Sequence, residues 1–229
     1  MEFYIGIDDT DNKESRGTGH LARMIAEKLS ADFQVNGILR HQLLFDPRVP
    51  YTAKNSCAAI LLSSDNSPNL SSIFDQVEAI MMSDFNPGSD PGLCVTATVP
   101  QAVTDFGKLA QRDLVKQTDA RQLAENHRIL LKGLGGTQDG VIGALSAVGL
   151  AASGHDGRYV EVGRIRELAG LVSVEKIIQA GVNSVRTMDE KSVNGGLVMS
   201  DKMRPARRFG QPILYVEQQN DYWQPLKLD

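Results

Sequence analysis

The sequence predicts an α/β protein, with α+β as the alternative, on three observations. Short apolar, β-branched runs alternate along the chain with segments of helical periodicity. One glycine-dense loop, residues 133–140, runs directly into a helix of small residues. Composition then shifts at a turn cluster over 153–158, which divides the chain into units 1–152 and 153–229. The 229 residues are 41% apolar and include 21 glycines, enough for a sizeable core in one large domain or two small ones.

Residues 3–7 form a β-branched and aromatic run ending in Asp8-Asp9-Thr10-Asp11, and Leu21, Met24, Ile25 and Leu29 then recur at helical spacing. The start of the chain is therefore strand, acidic loop, helix. Residues 35–45 and 57–62 predict two more strands, separated by a connector over 46–55 whose prolines forbid regular structure. Ile73, Phe74, Val77, Ile80 and Met81 mark a second amphipathic helix, 93–99 another strand and 102–127 one or two helices. Residues 140–152 are the most apolar stretch, too short to cross a bilayer and read as a buried helix. In the second unit the pattern predicts a strand at 159–162, a helix ending at Gly181, and strands near 182–185, 196–199 and 213–216. The polar tail after Gln218 is expected to be loosely held.

Several function classes are disfavoured. Twenty-four Lys and Arg against 28 Asp and Glu give a net charge of −4, unlike a surface built throughout to neutralise phosphates. Cys57 and Cys94 sit in apolar runs without a second Cys or His at ligand spacing, which predicts a reduced, cytoplasmic protein with neither disulfide nor structural zinc. The first residues carry no basic segment, so no signal peptide is expected, and no membrane association either. The four histidines are scattered, and no Ser/His/Asp or Cys/His set can be assembled.

The chemistry-bearing residues concentrate near the first strand. Asp8, Asp9 and Asp11 follow a strand at the edge where open α/β sheets bind ligands. Three carboxylates within four residues repel one another unless a cation joins them, and magnesium, which takes a few carboxylates and bridges to phosphates, suits them best. The alternative is an acidic turn that caps the following helix. Gly17 and Thr18 stand where a helix start favours an anion, so Thr18 is read as a phosphate ligand or acceptor, or simply as the cap. His20, two residues on, is a weaker substrate-binding candidate. Gly135, Gly136 and Gly140 of the glycine loop offer backbone donors by the same physics, although the loop lacks the P-loop ending and the dinucleotide spacing. Lys202, Arg204, Arg207 and Arg208 form a basic stretch able to hold phosphates or carboxylates, or a solvated loop. Asn55, Asp139, Arg207 and Arg208 complete the substrate-binding candidates.

Ile5-Gly6-Ile7-Asp8-Asp9-Thr10-Asp11, Gly17-Thr18 and Leu21-Ala22 together resemble the start of the archaeal agmatinylcytidine synthetase family, which uses ATP to attach agmatine to a cytidine of an isoleucine tRNA. Three further stretches agree in order: Leu44-Phe45-Asp46-Pro47-Arg48-Val49-Pro50 with Asn55, then residues 140–149, then Pro212-Ile213-Leu214-Tyr215. The resemblance implies a kinase-like domain over 1–152 followed by a small ferredoxin-like domain over 153–229. It places Asp8, Asp9, Thr10 and Asp11 in an ATP and magnesium site and maps Thr18 onto a phosphorylated threonine. The family's nucleic-acid-binding β-barrel and zinc ribbon have no counterpart here, so the chain is not expected to act on intact tRNA without a partner; a homo-oligomer is compatible with the sequence. The resulting expectation is an ATP- and magnesium-dependent transferase or ligase in which Asp9 and Thr18 are catalytic, acting on a small-molecule acceptor of unknown identity. Two alternatives stay open: a phosphohydrolase resembling the haloacid dehalogenase group, and a non-enzymatic nucleotide sensor.

Overall fold

The structure, a computed structural model, describes residues 1–10, 17–49 and 55–228. Its first strand, β1 (Glu2–Asp8), is apolar on both faces. Phe3, Ile5 and Ile7 are fully buried on one side, where Phe33 meets Phe3 edge-on at 5.1 Å between ring centroids. On the other side Gly6 and Asp8 lie against a helix of small residues, α5 (Gly140–Ala152). A sheet covered on both faces needs continuous apolar strands, which is what β3 (Ser56–Ser63) and β4 (Gly92–Thr96) supply.

The remaining elements of this unit are α1 (Thr18–Leu29), β2 (Gln34–Gln42), α2 (Leu70–Ser83), α3 (Gln101–Ala110), α4 (Gln117–Asn126) and β5 (Leu130–Gly133). The strand order is β5-β4-β1-β3-β2, every neighbouring pair antiparallel. β1 is central because it accepts β3 along one edge, with Ile5 opposite Ile60, and β4 along the other, with Ile5 opposite Val95. Helix α1 buries Leu21, Ile25 and Leu29, and α2 buries Ile73, Phe74, Val77, Ile80 and Met81. Each large apolar side chain so buried contributes about 1.5–3 kcal/mol. Asn69 caps α2 by accepting the Ser72 amide at 3.2 Å.

Helix α5 is apolar all round and almost wholly buried. Its glycines let it lie flat on the sheet: a Cβ at Gly140 would collide with the Asp90 carbonyl, and one at Gly92 with the Gly140 carbonyl. The one hydroxyl inside it, Ser146, donates to the Ile142 carbonyl at 2.7 Å and so enters the core satisfied. Among the described residues no helix is long and apolar enough to cross a membrane.

The chain divides into two compact units, Met1–Ser153 and Gly154–Asp229. The second contains β6 (Arg158–Glu161), β7 (Leu171–Ser173), α6 (Val174–Gln179), β8 (Ser184–Arg186), β9 (Leu197–Met199), β10 (Ala206–Arg208), β11 (Gln211–Gln219) and β12 (Tyr222–Pro225). Its strands run in the order β6-β10-β11-β12-β9-β7, with β8 parallel to β11. The mixed α/β class agrees with the expectation. The resemblance places a ferredoxin-like domain after residue 152, whereas the split βαβ order of such folds, β4-β1-β3-β2 with α1 and α2, runs through residues 2–96. Among the described residues the second unit has a single α-helix, one short of that arrangement. The tail also differs from its expectation. Tyr222–Pro225 pairs antiparallel with β11, and Leu226 and Leu228 pack on Ala206, Ile213 and Tyr215.

Candidate functional site

A cleft of about 210 Å³ opens at the end of β1 in the first unit. Its floor is Asp8 and Asp9 beside Gly140 and Gly143 of α5; its walls are Leu43, Leu44, Arg48 and Asn55 on one side and Asp113 to Val115, between α3 and α4, on the other. Asp8 lies opposite Gly92 in the sheet, and its carboxylate occupies the space that a Cβ at Gly143 would need. Only glycine at position 143 leaves room for that carboxylate beside the helix. Asp9 turns the chain out of the sheet with φ 48, a left-handed conformation that aspartate tolerates better than bulky residues, and its carbonyl accepts the Asp90 amide at 3.1 Å.

Thr10 is buried, with its hydroxyl donating to Thr18 Oγ1 at 3.1 Å and its carbonyl accepting Asn86 Nδ2 at 3.1 Å. It therefore ties the end of β1 to the start of α1 and to the α2–β4 connection. Gly17, not Thr18, occupies the cap position of α1, and the His20 amide returns to the Gly17 carbonyl at 2.7 Å. The reading of Thr18 as the cap is thereby corrected: Thr18 is the first helical residue, its side chain against Thr10. His20 is half-buried on the same helix.

Sequence reasoning missed Asp90. Its carboxylate accepts the Gln138 amide at 2.5 Å, the Thr137 amide at 3.2 Å and the Thr137 hydroxyl. Gly136, at φ 57, carries the loop past this carboxylate, where a Cβ would crowd it. From the opposite side Gln117 Nε2 donates to the Thr137 carbonyl and to Asp139 Oδ1, both at 2.9 Å, and Arg121 holds Gln138 Oε1 at 2.6 Å. The glycine loop is thus clamped, and its amides at Thr137 and Gln138 already serve an internal carboxylate rather than a phosphate. A turn-like Ser89-Asp90-Pro91-Gly92 gave no sign of this, because the partners lie 47 and 48 residues away.

Asn55 lines the cleft, yet its Nδ2 donates to the Leu44 carbonyl at 2.8 Å and its own carbonyl accepts Leu43 N and Gln42 Nε2, so it fastens β3 to the end of β2. Arg48 meets Asp46 through two guanidinium donors, each at 2.8 Å, and this contact holds the Asp46 carboxyl down at about 2. Arg207 and Arg208 lie in the second unit. Arg207 is buried, donating to Tyr159 Oη at 2.6 Å and to the Gly210 carbonyl at 2.9 Å, and Arg208 donates to the His155 carbonyl at 3.0 Å. These bonds staple β10 in place, a structural role for two residues expected to bind substrate.

The cleft lining combines Asp8, Asp9, Asp90, Asp113 and Asp139 with Arg48 as its one cation among the described residues. Such oxygen donors suit a hard cation such as magnesium. Among the described residues no three acidic, His or Cys side chains are grouped closely enough to hold a metal by themselves, and Asp11 lies outside the described residues. Cys57 and Cys94 are buried cysteines that form no disulfide, the latter with its pKa pushed up by burial.

No protein-family model matches the sequence, and no curated protein does. Solved structures do. A tRNA fluorescent labeling enzyme aligns with 24% identity and a TM-score of 0.56. A complex of TiaS with an isoleucine tRNA and ATP aligns with 23% and 0.57, and one of TiaS with the same tRNA, AMPCPP and agmatine with 22% and 0.55. TiaS is a tRNA agmatidine synthetase. Over the aligned residues the fold is that of this synthetase. Each alignment covers 65% of the present chain and 36% of the other, so the chain spans just over a third of the length of these structures. At this identity the synthetase likeness concerns the fold. Two of these complexes contain the isoleucine tRNA, so the expectation that intact tRNA needs a partner finds no support in them.

Proposed function

We propose that this chain is an ATP- and magnesium-dependent enzyme of the phosphoryl-transfer or ligase type, with its nucleotide site in unit 1–152 as delimited from the sequence. The observation that carries the reading is the pair Asp8 and Asp9 at the end of β1, facing the start of α5 across Gly140 and Gly143, in a fold that has been solved with ATP. Magnesium, when bound, would offset the negative charge of the phosphates, and Asp8, Asp9 and Asp11 are the residues that would hold it.

The chain's own residues then have distinct tasks. Asp8 and Asp9 would hold the cation at the end of β1, the glycine loop fixes the wall of the cleft through Asp90, and Thr18, which is not among the residues lining the cleft, would reach the transferring phosphate from the start of α1 with its hydroxyl beside that of Thr10. Catalysis of this kind is mostly positioning and charge neutralisation. Among the described residues five carboxylates stand against one guanidinium in the cleft, a balance that favours a cationic co-substrate, in keeping with the agmatine held by one structure of this fold. The acceptor is an oxygen nucleophile that reaches the cleft. Neighbouring structures that contain tRNA widen the choice from a small molecule to a polynucleotide.

The test is ATP consumption by the full chain with magnesium, a panel of small amines, and either small hydroxyl acceptors or total tRNA. Acceptor-dependent release of ADP or AMP is expected, falling by about 100-fold or more in Asp9→Asn. ATP consumption that Asp9→Asn leaves intact, or none with any acceptor, would overturn the proposal.

A further inference from the structure

The basic stretch at 202–208 is not absorbed by the nucleotide site, and the fold splits it. Arg207 and Arg208 turn to Tyr159, Gly210 and His155, as described above, while Lys202 and Arg204 face a separate hollow of about 420 Å³ in the second unit. Arg166, some 36 residues earlier in the chain, joins them there from the short 3-10 turn Ile165–Glu167. The Ser200 amide donates to the Gly170 carbonyl at 2.9 Å and closes the far end, next to the paired strands β7 and β9, where Leu171 stands opposite Met199. Ile165 and Met203 are 3% exposed and anchor the two walls in the core.

From these observations we infer that the hollow lined by Arg166, Lys202 and Arg204 binds a phosphate group. Among the described residues three cations face it against one carboxylate, Asp201, in a chain whose net charge is −4. Among the described residues neither Arg166 nor Lys202 enters an ion pair, so both charges remain available to a ligand. Arg166 Nη1 donates to the Val160 carbonyl at 3.2 Å and Arg204 Nη1 to the Met203 carbonyl at 2.7 Å. Those bonds restrain both guanidinium groups, and Arg166 keeps further donors on its fork, the geometry that suits tetrahedral oxyanions. Lys202 is held at φ 56, a backbone that lysine rarely adopts, which fixes where its side chain leaves the wall. The hollow also has room for what the phosphate is attached to, so the ligand is a phosphate ester or diester. This site lies wholly within the second unit and does not depend on the nucleotide reading of the first.

Calorimetry on the full chain at low salt tests it with two probes, inorganic phosphate and a short single-stranded RNA of mixed sequence. Lys202→Gln with Arg204→Gln should weaken binding by about tenfold or more, and ATP consumption at the cleft should be unchanged. Lys202→Gly, which suits the left-handed backbone and so cannot fail through strain, should weaken it in the same direction. If the ligand is a polynucleotide, the salt dependence of RNA binding also loses a slope of about 1 for each cation removed. If it is a small phosphate ester, phosphate binding falls and RNA binding does not. Affinities for both probes within about twofold of the parent in both variants would overturn the inference.

Discussion

Asp8 and Gly143 are two halves of one feature: the carboxylate stands where any larger residue on α5 would put its Cβ. Gly143→Ala is therefore expected to displace Asp8, lowering stability by about 1–3 kcal/mol as overpacking does and abolishing nucleotide binding. Denaturant melts and ATP titration check both, and a variant that binds ATP normally would separate Asp8 from the site. At the rim, Arg48 holds the Asp46 carboxyl at about 2, below its ordinary 3.8, through its side-chain hydrogen bonds. A carboxylate with a depressed folded value adds stability that is in place above its unfolded pKa and is lost as pH falls through the folded one. The pair should thus persist from neutral pH down through 3.8 and release near 2. Carbon-13 NMR of the Asp46 carboxyl should give that midpoint, returning close to 3.8 in Arg48→Gln; an ordinary midpoint in the parent would contradict it.

The loop 133–140 is an element held from two sides, by Asp90 and by Gln117 and Arg121 of α4. Asp90→Ala removes a charged acceptor from two amides and a hydroxyl, so a loss of about 1–3 kcal/mol is expected. Hydrogen exchange at Thr137 and Gln138 should accelerate, and unchanged protection there would show that α4 alone holds the loop. The loop itself was legible in the sequence, because glycines beside a small-residue run announce a turn and a close-packed helix. Its clamp was not, since a carboxylate 47 residues upstream leaves no local pattern. The aspartates after β1 were legible for the opposite reason: strand, acidic turn and helix are contiguous. Three or four residues carry no period, so β5, β7 and β10 are not legible, while β6, β8 and β9, equally short, show only through the turn residues beside them. The residue type of Thr18 left a phosphate contact and a helix cap both open; Gly17 adopts the extended cap conformation, which removes the second and leaves Thr18 to pair with Thr10.

At the scale of the molecule, the strand order of each sheet depends on which edges pair, and local periodicity says nothing of that; hence the split βαβ order appears in residues 2–96 rather than after 152. The same holds for the tail. The polar stretch after Gln218 reads as loosely held, yet Gln218 and Gln219 pair across to Trp223 and Tyr222. Deleting residues 220–229 removes β12 together with Leu226 and Leu228, which cover Ala206, Ile213 and Tyr215. Scanning calorimetry should show the second unit melting earlier or not folding, while ATP binding by the first unit persists; an unchanged melt would make the tail dispensable. If the acidic cleft is a nucleotide site that works through a cation, ATP binding depends on magnesium and on Asp9. Titration calorimetry of the full chain with ATP, with magnesium and then with chelator, in the parent and in Asp9→Asn, tests it most directly. Asparagine tolerates the left-handed backbone at this position, so the variant keeps the fold. Magnesium-dependent ATP binding that the substitution weakens by about tenfold or more is expected; equal affinity with and without magnesium, or in both proteins, would rule the cation-mediated site out.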